Sequence, residues 1–250
     1  MKNITVVKFG GSLAKNELAR KKFLDELALL SKRESVVLVH GGGPEINLWL
    51  GKLGIPSKFV NGLRFTDAQT LEVVEMVLSG KVNKAFVGEL QKKGVPACGI
   101  SGRDCGLALS KTVKELGFVG EPVKINTKII EVLLKAGIVP VVSSLGTTSS
   151  GTALNLNADT LATAIAASLK ARRLVLLTDV CGVLDAFKNT IPRITLKEVS
   201  GLISRGVVTG GMIPKIRACA HSVKKGIKEV WIADGAKGLS RLQGTVIKQK

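Results

Sequence analysis

The chain has 250 residues, enough for one large domain or two small ones, and 45% of them are hydrophobic, so a sizeable core is available. No apolar run approaches the ~18 residues that span a bilayer, the first residues lack the pattern of a secretory leader, and the four cysteines (Cys98, Cys105, Cys181, Cys219) form no C-x-x-C pair, which argues against structural zinc and fits a reducing, cytoplasmic setting. The formal charge of +18 admits a solvated surface or a nucleic-acid or acidic-protein partner, but the lysines are dispersed, tyrosine is absent and aromatics are 4%, so stacking platforms are poor and a solvated surface is expected.

Strand-like runs alternate with helical patterns along the chain. Residues 4–9 read as a strand, 17–30 as a helix with Leu18, Phe23, Leu27 and Leu30 near one face, 36–40 as a second strand and 45–53 as a second helix. A long helix is expected from Asp67 to about Lys93, with Thr66 and Gln69 as a capping box and Gly94 as its stop. Residues 97–100 read as a short strand, and the glycine-rich stretch 106–125 as hairpins. A helix over 127–136, stopped by Gly137, leads into an apolar strand over 138–142. An alanine-rich helix is expected over 159–169, with strands over 174–178, 230–233 and 245–247. Apolar strands separated by helices predict a mostly parallel sheet covered on both faces, interrupted by a hairpin insert. The Ser/Thr/Gly-rich stretch 143–151 suggests a boundary between an N-terminal lobe, residues 1–150, and a C-terminal lobe, residues 151–250.

Two strands stop at consecutive glycines and run on into helical patterns: Val6-Val7-Lys8-Phe9-Gly10-Gly11-Ser12 and Val36-Val37-Leu38-Val39-His40-Gly41-Gly42-Gly43. Glycine permits close backbone approach, and helix N-termini offer free N–H groups to anions. The P-loop, dinucleotide, zinc-protease and α/β-hydrolase signatures are all missing. What remains is a set of lysine, glycine, asparagine and aspartate positions. Lys8, in an apolar strand, either reaches solvent from the strand end or faces a ligand. In Leu154-Asn155-Leu156-Asn157-Ala158-Asp159 the two asparagines share one face, and Asp159 either caps a helix or organises cations. Thr209-Gly210-Gly211-Met212-Ile213-Pro214-Lys215 repeats the glycine turn and adds a second lysine. Leu177-Thr178-Asp179-Val180-Cys181-Gly182-Val183-Leu184 ends a buried strand in a polar loop, where open α/β sheets bind ligands. Arg64, in Asn61-Gly62-Leu63-Arg64, is a surface charge or a carboxylate clamp.

Together these six motifs, in this order, resemble the amino acid kinase family, from about Ile4 to the C-terminus. The resemblance implies a three-layer α/β/α sandwich whose N-terminal half holds an amino-acid acceptor and whose C-terminal half holds ATP. The nearest likeness is to members that phosphorylate the side-chain carboxylate of N-acetyl-L-glutamate in arginine biosynthesis. Carried over to this chain, it implies that Gly42, Gly43, Arg64 and Asn155 bind the acceptor, with Arg64 and Asn155 on its α-carboxylate. Lys8 and Lys215 would stabilise the phosphoryl group in transfer, and Asp159 would hold both lysines. Gly10 and Gly11 would lend N–H groups near the γ-phosphate. Asp179, Val180, Cys181, Gly182, Val183, Leu184, Val207, Val208 and Thr209 would line the nucleotide pocket. The cofactor would be ATP with Mg²⁺ carried on its phosphates, with no metal held by the protein. A homodimer is expected. Arginine-inhibited members carry an extra N-terminal helix and a distinctive C-terminal segment, so arginine inhibition is not expected here. A carboxylate nucleophile with a pKa near ~4.3 is already ionised at pH 7 and needs no general base. The rival readings are a related kinase acting on aminoadipate or glutamate attached to an acidic carrier protein, and a non-catalytic nucleic-acid-binding protein.

Overall fold

The computed structural model describes residues 3–10, 17–60, 62–209, 212–240 and 242–249, with only the backbone of Pro214. Gly11, Ser12, Asn61, Gly210 and Gly211, which carry parts of the sequence motifs, lie outside the described residues. The first part of the chain forms β1 (Ile4–Phe9), α1 (Glu17–Ser31), β2 (Ser35–His40), α2 (Gly43–Lys52), the hairpin of β3 (Phe59–Val60) and β4 (Leu63–Arg64), α3 (Ala68–Glu75), α4 (Asn83–Lys92), β5 (Ala97–Ser101), β6 (Ala108–Thr112), β7 (Val119–Ile125), α5 (Lys128–Lys135), β8 (Val139–Ser143) and β9 (Leu145–Thr147). It continues with β10 (Ala153–Leu156), α6 (Ala158–Ser168), β11 (Arg173–Thr178), β12 (Arg193–Thr195), α7 (Leu196–Ser204), α8 (Met212–Lys224), β13 (Glu229–Asp234) and β14 (Gly244–Lys248).

The main sheet has eight strands in the order β12-β14-β13-β11-β1-β2-β8-β5. It is parallel except where β14 runs antiparallel to β13 and carries β12 with it. Alternation along β1 sends Val6 to one face, where it packs with Ile130 of α5, Leu161 and Ile165 of α6, and Ile216 of α8. Val7 and Phe9 point to the other face, against Phe23, Leu24 and Leu27 of α1 and Phe86 and Leu90 of α4. These two cores make the three layers, as expected of apolar parallel strands. At about 1.5–3 kcal/mol for each large apolar side chain buried, the doubly covered sheet is the rigid platform. The β3–β4 hairpin is peripheral: Phe59 is 54% and Val60 43% exposed.

The long helix is present but not uniform. Between α3 and α4 the segment Met76–Val82 winds as a π-helix. Leu78 of this segment lies close to Gly42, and Asn83, the first residue of α4, meets His40 at the end of β2. The cap differs from the expected Thr66–Gln69 box. Asp67 is the N-cap and accepts from the Thr70 N–H at 2.8 Å, while the Thr66 hydroxyl turns back to the Arg64 carbonyl at 3.1 Å.

The stretch 106–125 does hold an antiparallel pair, β6 and β7, and these close with β9 and β10 into a small four-stranded barrel. Residues 143–151 carry β9 and the turn into β10. In the main sheet, β1, β2, β8 and β5 come from the first 150 residues and lie on one side. The later strands lie on the other, and β1 meets β11 at the seam.

Candidate active site

Lys8 sits near the C-terminal end of β1, on the face that looks toward α6. Its Nζ lies 2.9 Å from Asp159 Oδ1, and Lys215 Nζ of α8 lies 3.9 Å from Asp159 Oδ2. The helix cap decides between the two roles open to Asp159. Asn157 is the N-cap of α6, accepting from the N–H groups of Asp159 and Thr160 at 2.9 and 3.1 Å. The Asp159 carboxylate is therefore free to stand between two ammonium groups that would otherwise repel. The Lys8 side chain is only 12% exposed, so this neutralisation acts in a partly dry setting.

A cleft of about 410 Å³ opens beside this pair, lined by Lys8 and Asp159, by Gly41, Gly42 and Gly43 at the start of α2, and by Asn47, Phe59, Arg64 and Asn157. A Cβ at Gly42 would come 2.7 Å from Leu78 Cδ2 of the π segment, so any larger residue there would have to displace that leucine. Arg64 is 8% exposed and its guanidinium is oriented from several sides. It donates to Asn47 Oδ1 at 2.5 Å, to the Gly43 carbonyl at 3.4 Å and to the Ser57 hydroxyl, and lies 4.7 Å over the Phe59 ring. Burial lowers its pKa from the usual arginine value, yet a guanidinium keeps its charge in proteins. A preoriented, weakly hydrated fork at the side of a cleft suits a carboxylate.

Beneath the glycine turn, His40 is fully buried. Its Nδ1 lies 3.0 Å from the Gly41 carbonyl and its Nε2 3.1 Å from Asn83 Nδ2. Burial, aided by the charge of Lys84 and opposed by the Gly41 hydrogen bond, lowers its pKa from 6.5 to about 4. This gives a pH prediction. As pH falls from 6.5 toward 4, the unfolded chain takes up a proton that the native ring refuses, so stability falls with pH across that window. The loss is complete below about pH 4, once the native ring is protonated too. It amounts to roughly 3 kcal/mol. Urea unfolding at pH 7.5 and 4.5 is expected to differ by most of that amount more in the wild type than in a His40→Asn variant.

The sequence-derived site residues do not all meet in one place. Lys8, Gly42, Gly43, Arg64 and Asp159 share the cleft, and Lys215 reaches it through Asp159. Asn155 does not line the cleft; its amide donates to Thr66 Oγ1 at 3.1 Å. Gly10 is buried at the end of β1. Asp179, Val180, Cys181 and Leu184 are exposed in the loop after β11, whereas Gly182 and Val183 are buried. Gly182 has φ +118 and backs onto Thr245, whose hydroxyl accepts from the Val183 N–H at 2.8 Å. Val207 is half-buried, Val208 belongs to the core and Thr209 is exposed. Cys181 and Asp234 open onto a second hollow of about 470 Å³. Sequence reasoning did not single out Asn47 or Phe59 and assigned no role to Asn157, although it placed Asn157 on one face with Asn155. Asn157 carried a usable signal, an asparagine just before a helix. Asn47 lies one turn after Gly43 on α2, a weaker clue.

The family model described as the amino acid kinase family matches residues 3–234. The chain belongs to the amino acid kinase family. Among curated relatives, this amino acid kinase is 55% identical over 249 residues to the acetylglutamate kinase of Endomicrobium trichonymphae, covering 100% of both chains. It is 46% identical over 236 residues to the acetylglutamate kinase of Clostridioides difficile (strain 630), covering 92% of this chain and 82% of that one. Among solved structures, smu.665 from Streptococcus mutans UA159 matches with a TM-score of 0.87 at 34% identity, over 100% of both chains. No group of three or more His, Cys, Asp or Glu able to hold a metal, and no helix long and apolar enough to cross a membrane, occurs among the described residues.

Proposed function

We infer that this amino acid kinase transfers the γ-phosphoryl group of ATP to the side-chain carboxylate of N-acetyl-L-glutamate, giving N-acetylglutamyl 5-phosphate and ADP, a step of arginine biosynthesis. The observation that carries the reading is the Lys8–Asp159–Lys215 arrangement beside a cleft walled by Gly41–Gly43 backbone and Arg64. The carboxylate oxygen attacks the γ-phosphorus, the bond to the β,γ-bridging oxygen breaks, and ADP leaves with that electron pair. No proton has to move, so the lack of a histidine or cysteine base in the cleft is no obstacle. The difficulty is bringing two anions together, and positioning with fixed positive charge answers it.

In this reading Arg64 grips the α-carboxylate of the acceptor, and the Gly42 and Gly43 backbone receives the reacting end. Asn155 is tied to Arg64 through Thr66, whose hydroxyl accepts from the Asn155 amide N–H and donates to the Arg64 carbonyl, and Asn157 takes a place at the cleft wall. Lys8 and Lys215 share the charge of the moving phosphoryl group, with Gly10 and Gly11 beside it. Asp159 is engaged by both lysines, which leaves it a poor metal ligand; Mg²⁺ would be carried by the nucleotide phosphates and would supply further charge neutralisation. The loop from Asp179 to Leu184 and the segment from Val207 to Thr209 hold the nucleotide. Residues 1–150 form the acceptor lobe and residues 151–250 the ATP lobe. The subunit pairs as a cytoplasmic homodimer through the first lobe, a reading supported by the position of β5 as the last strand of the main sheet.

The test is ADP release with free N-acetyl-L-glutamate, with the acyl phosphate trapped by hydroxylamine. Turnover dependent on that acceptor is expected. Turnover only with an acidic carrier protein would replace this assignment with its nearest rival.

A further inference from the structure

We infer that His40 is a positioning residue: its Nδ1–H holds the Gly41 carbonyl and so turns the N–H of Gly42 toward the acceptor cleft. The inference deepens the function proposed above and rests on it for the identity of the acceptor.

The ring's proton can be located from its neighbours. Asn83 Nδ2 lies 2.8 Å from the Val141 carbonyl and 3.3 Å from the Ile100 carbonyl, while its Oδ1 faces Lys84 Nζ at 3.3 Å. Carbonyl oxygens only accept and the lysine only donates, so the amide has one consistent orientation. Its NH₂ end then meets His40 Nε2 at 3.1 Å, and Nε2 must be the acceptor. The proton of the neutral ring falls on Nδ1, which donates to Gly41 O at 3.0 Å.

The consequence for the glycine turn follows from peptide geometry. The Gly41 carbonyl and the Gly42 N–H belong to one peptide unit, and no described peptide is cis. In a trans unit the two bonds point in opposite directions. With the carbonyl drawn down to the buried ring, the N–H points away from it, on the side where Gly41, Gly42 and Gly43 line the cleft. Without that anchor, a Gly-Gly peptide can flip cheaply. The π segment and the start of α4 complete the grip: Leu78 lies close to Gly42, and Asn83 meets His40. A leucine at position 40 would fill the space without orienting anything.

The experiment compares wild type, His40→Leu, His40→Asn and His40→Gln. Nitrogen-15 NMR of the free protein between pH 6 and 8 is expected to show the Nδ1-protonated tautomer; an Nε2-protonated ring overturns the inference. In steady-state assays, His40→Leu is expected to lose about 100-fold in kcat/KM for N-acetyl-L-glutamate, with ADP affinity nearly unchanged. His40→Asn, whose amide reaches the place of Nδ1, is expected to recover about tenfold over both His40→Leu and His40→Gln, whose amide falls near Nε2 instead. Equal losses in Asn and Gln variants, or a parallel loss of ADP affinity, reduce His40 to a packing residue and overturn the inference. If His40→Leu does not fold, the Asn and Gln pair decides. Wild-type protein inactive on N-acetyl-L-glutamate would sink the functional assignment, while the ring tautomer would still judge His40.

Discussion

Lys8→Ala is expected to lower kcat on the order of 10²–10³-fold, with a much smaller change in the KM of either substrate. In the ground state Lys8 already has a partner, Asp159, so its removal costs little binding. In transfer, negative charge concentrates on the equatorial phosphoryl oxygens, and a lysine at the end of β1 is worth most at that moment. One unit charge about 4 Å from another, at an effective dielectric of ~20, contributes about 4 kcal/mol, and partial exposure of the site lowers this toward 3. Lys215→Ala is expected to behave similarly but more mildly, because its ammonium stands farther from Asp159. Hydroxamate formation at saturating substrates measures both, and thermal melting checks that each variant is folded. If Lys8→Ala keeps near-normal turnover, the role assigned to that lysine is wrong.

Arg64→Ala is expected to raise the KM for the acceptor about 100-fold, the loss of a paired set of charge-assisted hydrogen bonds, while the KM for ATP stays near its wild-type value. Arg64→Lys should recover only a small part. An ammonium carries the charge, but it cannot bond Asn47, Ser57 and Gly43 while presenting a planar face to a carboxylate. Steady-state kinetics with both substrates varied separates this outcome from a general loss of activity. An unchanged acceptor KM in Arg64→Ala would mean that Arg64 only ties the β3–β4 hairpin to α2.

Much of the fold was legible because parallel strands buried on both faces are written as unbroken apolar runs, and the runs of β1, β2, β8 and β11 stop at glycine or at polar loops. Lys8 stood out for the same reason, as a charge inside such a run. The roles at the start of α6 were not separable from sequence. Asn157 and Asp159 are both good caps, and only the backbone conformation at Asn157 assigns the cap to it. The π segment was hidden as well, because residues 67–93 read as one unbroken α-helix. The barrel depends on β9, which has three residues and owes its existence to distant partners. The helix α7 went unread although Thr195 and Glu198 form a capping box at its start, a signal that was present in the sequence.

The seam between β1 and β11 has a mechanical consequence. The two halves of the molecule are joined there by a continuous hydrogen-bonded ladder, with Lys8 beside Leu176. Halves stitched in this way cannot swing as free bodies on a flexible tether. Under the function proposed above, bringing donor and acceptor together would therefore work against that ladder rather than about a free hinge.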